Sequence, residues 1–264
     1  MANIKEFLEK NITPGSVLPP LLPMIHTTEK FLFVQNIAKE NRLKTGKKDG
    51  FSEGNLCLYY GRPAYVVGHE VDSRTDDFYY PISLLIEPTN IEKAELVTIY
   101  PFDSGAFKSK KEDIKKYIHE RMELEHFQIG KDLNILPKLV AVFFGDNEAY
   151  CSGKIKPGLI FDSDNDILTA CYNILGAEGE SSLDERKYSS EIQLAKDFEI
   201  QAYDIKAVVL PNSLLKDSFI QKKIISDWKA IPLGYFTCKS DKPGEYRTAI
   251  FNKVMEYYTD KGLI

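Results

Sequence analysis

The sequence predicts an α+β fold, and two observations carry that prediction. Strand-length runs rich in β-branched and aromatic residues recur along the chain. Segments with helical spacing fall between them irregularly, without the regular strand–helix alternation of a doubly wound sheet. Size adds a third observation: the chain has 264 residues, 43% of them hydrophobic. It shows no internal repeat and no compositionally simple linker, so residues 1–264 are read as one domain.

The elements follow in order. After a short amphipathic opening and a Pro-rich stretch, Pro23-Met24-Ile25-His26-Thr27-Thr28 reads as a strand end, and Phe31, Val34 and Ile37 as the face of a helix. Asn41 to Asn55 is a polar loop, and Leu56 onward is a strand up to Gly61, where Gly61 and Pro63 enforce a turn. Tyr79 to Ile86 and Leu96 to Tyr100 are β-rich. In Lys111 to Phe127, Ile114, Tyr117, Ile118 and Met122 mark one face of a helix. Leu139 to Phe144 is an apolar run of strand length. Asp166 to Leu175 is helical, Gly176 to Arg186 a polar loop, Tyr188 to Leu194 a strand, and Ile205 to Pro211 a strand stopped by its proline. Ser213 to Trp228 has helical spacing with Ser213 as N-cap, Ile231 to Thr237 is a strand, and Glu245 to Tyr258 is a final helix.

Charge and composition exclude several classes. Lys plus Arg number 34 against 39 Asp plus Glu, a formal net charge of −5, with a sequence pI near 5.5. That removes the overall basic footprint of a dedicated nucleic-acid binder and leaves only a local groove for such a partner. The basic stretch Lys108 to Lys116 is diluted by Glu112 and Asp113 and reads as a solvated helix face. The first ten residues are charged every few positions and lack the pattern of a secretory signal, so a cytoplasmic location is expected. No run approaches the roughly 20 apolar residues that span a bilayer, so no membrane partner is expected. Cys57, Cys151, Cys171 and Cys238 are widely spaced, which suits reduced thiols better than a disulfide frame or a zinc site.

Dinucleotide, phosphate-loop, hydrolase-elbow and zincin signatures are absent. Asp162, Asp164 and Asp166 alternate like the ligands of a calcium loop. Ile167 and Asn173, however, stand where that loop needs glycine and a bidentate carboxylate. His119 and His126 lie two turns apart on the expected helix with no third ligand in view. No metal is expected.

Three constellations stand out. His26 follows an apolar approach and precedes Thr27 and Thr28, so an imidazole and two hydroxyls are presented together; taken alone, it reads as a hydrogen-bonded core histidine. Leu58-Tyr59-Tyr60-Gly61-Arg62-Pro63-Ala64-Tyr65 gathers tyrosines and an arginine around a turn where backbone can approach a ligand and a guanidinium can clamp phosphate; the plainer reading is a half-buried hairpin. Glu191, in Arg186-Lys187-Tyr188-Ser189-Ser190-Glu191-Ile192-Gln193-Leu194, sits in an alternating strand. It either faces solvent or is a costly buried carboxylate with a partner or a task.

Taken in order, these segments resemble the ADP-ribosyltransferase fold, most nearly the DarT-type toxins that modify DNA. Tyr100-Pro101-Phe102-Asp103-Ser104-Gly105-Ala106-Phe107 is similar to a further segment of that family. The resemblance covers residues 23–211, with 212–264 as a completing helix–strand–helix. It implies a split β-sheet core with flanking helices and an enzyme that uses NAD as substrate without a metal. It also implies a macromolecular acceptor (DNA, RNA or protein), a toxin or defence role, and a neutralising antitoxin. In this reading Glu191 and Arg62 are catalytic, and His26, Thr27, Thr28, Tyr59 and Tyr60 bind NAD. Arg62-Pro63 reverses the family's order, and Ser189 stands where arginine-modifying relatives carry a second acid, so the acceptor stays open. A carboxylate such as Glu191 suits the chemistry, since breaking the nicotinamide bond develops positive charge on the ribose. The alternative is a non-catalytic nucleotide-binding or protein-interaction module on the same fold.

Overall fold

The computed structural model describes residues 3–46, 54–64, 77–108, 112–162, 164–176, 189–238 and 241–264. Its centre is a seven-stranded mixed sheet, so the α+β class holds. The strands are β1 (Met24–Glu29), β3 (Leu56–Tyr60), β4 (Pro81–Ile86), β5 (Leu96–Tyr100), β6 (Glu191–Leu194), β8 (Ile205–Pro211) and β9 (Ile231–Tyr235). They lie in the order β5-β6-β3-β1-β4-β8-β9. Neighbours are antiparallel except β8 and β9, which run parallel. A helical crossover therefore joins those two, through 218–227. Two short strands, β2 (Arg42–Leu43) and β7 (Phe198–Glu199), pair separately.

The ladder is uneven. β1 pairs with β4 along its whole length from Met24↔Ile86 to Glu29↔Pro81, but with β3 only at Met24↔Tyr60 and Ile25↔Tyr59. All of β4 and nearly all of β8 are buried, which is why both read as apolar runs interrupted only by Ser83 and Lys206. Ile4 and Leu8 of the helix Ile4–Lys10, and Val254 and Tyr258 of the helix Arg247–Asp260, join the core.

Several elements differ from the sequence reading, each for a local reason. Leu139 to Phe144 is no strand but the second half of a helix over 135–144. It is buried almost all round, and a short apolar run of that kind has the same signature in either state. Lys111 to Phe127 is not one helix. Glu112–Lys115 is helical, tight turns follow, and Leu124–Phe127 is a 3₁₀ turn. The ring Nδ1 atoms of His119 and His126 accept from the backbone N–H groups of Arg121 (3.2 Å) and Glu123 (3.1 Å), which offers the chain an alternative to continuing the helix. The two histidines therefore share no helix face.

In the helical run 30–40, Ala38 N–H bonds back to Phe33 C=O, a wide π turn. This extra residue turns Phe33, Ile37 and Ala38 inward and leaves Phe31 half exposed, in place of the face expected from Phe31, Val34 and Ile37. The cap before Ser218–Gln221 is Asp217, whose carboxylate accepts from Phe219 and Ile220 N–H, and Ser213 makes no side-chain cap. Most of the expected loop 176–186, as well as Tyr65, His69 and 186–188, lies outside the described residues.

Asn41 ends the helical run in the left-handed conformation, φ 54°. Its side-chain oxygen accepts from the buried Trp228 indole at 3.0 Å and from Lys223 at 3.2 Å. Asn41→Ala combines backbone strain with an orphaned indole N–H, and its unfolding free energy in urea is expected to fall by about 2–4 kcal/mol. Asn41→Gly, free of the strain, is expected to lose roughly 1 kcal/mol less. Equal losses in the two variants would refute the strain component.

Candidate active site

Glu191 opens β6 and is flanked in register by Tyr59 on β3 and Tyr100 on β5. It has 0% exposure, so the solvent-facing reading does not hold. Its carboxylate is held from several sides. Oε1 accepts from Ser104 Oγ at 2.7 Å and Gln193 Nε2 at 2.6 Å, and Oε2 from Ser104 N–H at 3.2 Å. Strand alternation accounts for Gln193, which is two residues on and faces the same side. Its amide oxygen in turn accepts from Asn55 Nδ2 at 3.1 Å.

Ser104 is aimed by the turn that follows β5. Asp103, also 0% exposed, caps the helix Ser104–Lys108 by accepting from Ala106 N–H at 2.8 Å. Its other oxygen accepts from Tyr59 Oη at 2.9 Å. This leaves the Ser104 N–H at the helix start free to turn toward Glu191. Rings of Phe102, Phe107 and Phe127, with centroids 5.2–6.2 Å apart, pack beside the turn and enclose it. Two consecutive residues, Asp103 and Ser104, thus couple two buried carboxylates to one tyrosine and one glutamine.

The sequence-predicted residues divide between the two faces of the sheet. Ile25 pairs with Tyr59, and Tyr59 with Glu191, so these three share a face, as does Thr27 two residues beyond Ile25. Thr27 Oγ1 is hydrogen-bonded to Ser83 Oγ at 2.8 Å. By the same register His26, Thr28 and Tyr60 lie on the opposite face, so His26 and Tyr60 do not converge with Glu191. His26 behaves as the hydrogen-bonded histidine of the plainer reading. Burial lowers its pKa to about 4, against a hydrogen bond to the Cys57 backbone that acts the other way. Tyr60 is fully buried; its hydroxyl accepts from Leu22 N–H at 3.1 Å and its ring packs on Tyr150 with centroids 5.4 Å apart. No face of that ring is open for stacking.

Arg62 lines a separate cavity of about 340 Å³ with Cys151, Arg247 and Phe251. Burial pushes the Tyr150 and Cys151 pKa values up to about 12, and the Arg62 charge pulls both down. Tyr150 in turn reaches the strand of Glu191: its Oη donates to Tyr60 C=O at 2.9 Å and accepts from Ser190 N–H at 3.2 Å.

Among the described residues no group of three or more His, Cys, Asp or Glu could hold a metal ion, and the four cysteines are free thiols. No helix there is long and apolar enough to cross a membrane. Sequence reasoning assigned no role to Asp103, Ser104 or Gln193. An Asp before Ser-Gly-Ala is a cap signal, and Gln193 shares Glu191's parity, so both signals were present. Comparison with known protein families, with curated proteins and with solved structures finds no match for this chain.

The depressed His26 value has a stability consequence. Between about 4 and the unfolded 6.5 the folded chain binds fewer protons than the unfolded one, so this contribution is complete above 6.5 and is lost as pH falls toward 4. Urea midpoints measured from pH 4 to 7 should rise with pH, and His26→Gln should flatten that part of the profile. An unchanged slope in the variant would assign the effect to other groups.

Proposed function

We propose that this chain is an NAD-dependent ADP-ribosyltransferase in which Glu191 is the catalytic carboxylate. One observation carries the reading. Three separate segments that resemble the family, those containing Tyr59, Asp103-Ser104 and Glu191, meet at one buried polar cluster. Further support comes from the sheet, whose halves β5-β6-β3 and β1-β4-β8 are joined by the short β1–β3 ladder, in keeping with a split core.

In this reaction the bond from the ribose anomeric carbon to the nicotinamide nitrogen breaks and nicotinamide leaves with the electron pair. The acceptor nucleophile, on DNA, RNA or protein, bonds that carbon and gives its proton to Glu191. Ser104 and Gln193 fix the carboxylate so that its charge is oriented before positive charge develops on the ribose. Tyr59 and Thr27 are the NAD-binding candidates on Glu191's face. His26, Thr28 and Tyr60 lie on the opposite face of the sheet from this carboxylate, and Arg62, the second catalytic candidate, lines a cavity with Cys151 and Arg247.

The complete burial of Glu191 favours a second reading, a non-catalytic module in which the cluster is structural. Glu191→Gln separates the two better than Glu191→Ala, which strands the Ser104 and Gln193 donors in a buried site. The amide keeps most of the shape, sets an NH₂ against Ser104 N–H, and is expected to cost about 1–2 kcal/mol in stability. Wild-type protein should transfer label from NAD to an acceptor, or release nicotinamide slowly, and Glu191→Gln should lower turnover by about a hundredfold or more while staying folded. Turnover at the wild-type level in that variant would overturn the catalytic assignment; NAD binding without turnover in the wild type would establish the second reading.

A further inference from the structure

An open cavity of about 420 Å³ lies at the rim of the sheet where β4 ends and β8 and β9 begin. That volume suits a small organic ligand. Lys206, Lys229 and Lys261 line it with a single carboxylate, Glu87. Glu87 is already paired with Lys206 at 2.6 Å, so among the described residues the lining holds two further lysines, Lys229 and Lys261, with no second lining carboxylate, in a chain whose net charge is −5. Asp227 feels Lys229 but is itself paired with Lys223 at 2.9 Å.

The same cavity offers aromatic surface. Tyr203 is 65% exposed, and Lys261 Nζ lies 5.8 Å from the centre of the Tyr257 ring. Ile205, Ile231 and Leu263 add apolar lining. Tyr203 and Lys229 both adopt left-handed backbone, φ 72° and 58°, a conformation that an aromatic residue keeps only where its surroundings enforce it. Here a hydrogen bond of 2.8 Å from Tyr203 N–H to Trp228 C=O, next to Lys229, ties the two loops together. Ring and ammonium are thus presented on a braced frame before any ligand arrives.

We propose that this cavity binds a nucleoside phosphate, with Lys229 and Lys261 on the phosphate oxygens and the exposed Tyr203 ring stacked on the base. The site is distinct from Glu191. Four strand spacings separate β6 from β8, about 19 Å, and the inference does not rest on the reaction proposed above.

Calorimetric titration with ADP and, separately, with inorganic phosphate tests it on the full chain. ADP is expected to bind at least tenfold more tightly than phosphate. Lys229→Glu combined with Lys261→Glu should weaken ADP binding by more than tenfold. Tyr203→Asn keeps a residue that tolerates the left-handed backbone while removing the ring; it should weaken ADP about tenfold and leave phosphate affinity unchanged. Glu191→Gln should bind ADP as the wild type does, and thermal melts establish that each variant is folded. The assignment is overturned if the wild type binds no ADP, if ADP and phosphate bind equally, if the lysine and tyrosine variants bind as the wild type does, or if Glu191→Gln abolishes ADP binding.

Discussion

A carboxylate shut away from water needs donors from the protein on its oxygens, and Glu191 imposes that need on one half of the sheet. The Ser104 hydroxyl and N–H and the Gln193 amide meet it, and each is available only because something else is fixed. Ser104 N–H is available because Asp103 caps the helix through Ala106 and is in turn held by Tyr59. Gln193 is oriented by Asn55 across the strand. A register slip of one residue between β6 and either neighbour would carry Glu191 and Gln193 to the opposite face, where Ile192 and Leu194 now pack. The carboxylate therefore specifies the β5-β6-β3 register, and the hydrophobic content of these strands alone would not, since all four β6 residues are buried.

That dependence on parity also explains how much of the site was legible in the sequence. Glu191 was identifiable as a candidate because a carboxylate in an alternating, strand-like segment either faces solvent or is costly to bury, and the sequence does not decide between the two. Tyr59 and Tyr60 were indistinguishable as aromatic neighbours; only the pairing of Tyr59 with both Ile25 and Glu191 assigns one to the cluster and the other to the core behind it. His26 and Thr27 pose the same problem one strand over. Adjacent residues in a strand look alike in composition and end on opposite sides of a sheet, so grouping by sequence proximity merged two environments that the backbone separates.

For the fold, β5 and β8 and the helix Asp166–Leu175 were readable to the residue, because each ends at a recognised breaker, Pro101, Pro211 and Gly176. The misreadings have physical sources. Residues 139–144 are buried on almost every side and so have no period to betray a helix. Residues 116–123 follow side chains, His119 among them, that compete for backbone donors. The π turns at Phe33–Ile37 and Lys222–Asp227 shift a helical face by one residue within a single run, which no fixed spacing can anticipate.

One end of the sheet concentrates the unusual chemistry, and topology explains why. Because neighbouring strands alternate in direction apart from β8 and β9, the ends of β5, β3 and β4 meet the starts of β6, β1, β8 and β9 along one rim. Glu191, Gly61 before Arg62, and the lysine-lined cavity all lie on that rim. Chain reversals there leave backbone groups outside the ladder, and side chains or ligands must satisfy them. At the β6–β3 side the sequence answers with a closed network of buried carboxylates. At the β4–β8–β9 side it answers with lysines around an open space, braced by left-handed residues. The first arrangement holds a carboxylate in a fixed position and the second leaves lysines without a carboxylate in the cavity lining, so a single rim holds one carboxylate oriented by its own neighbours and one cavity that an anion would complete.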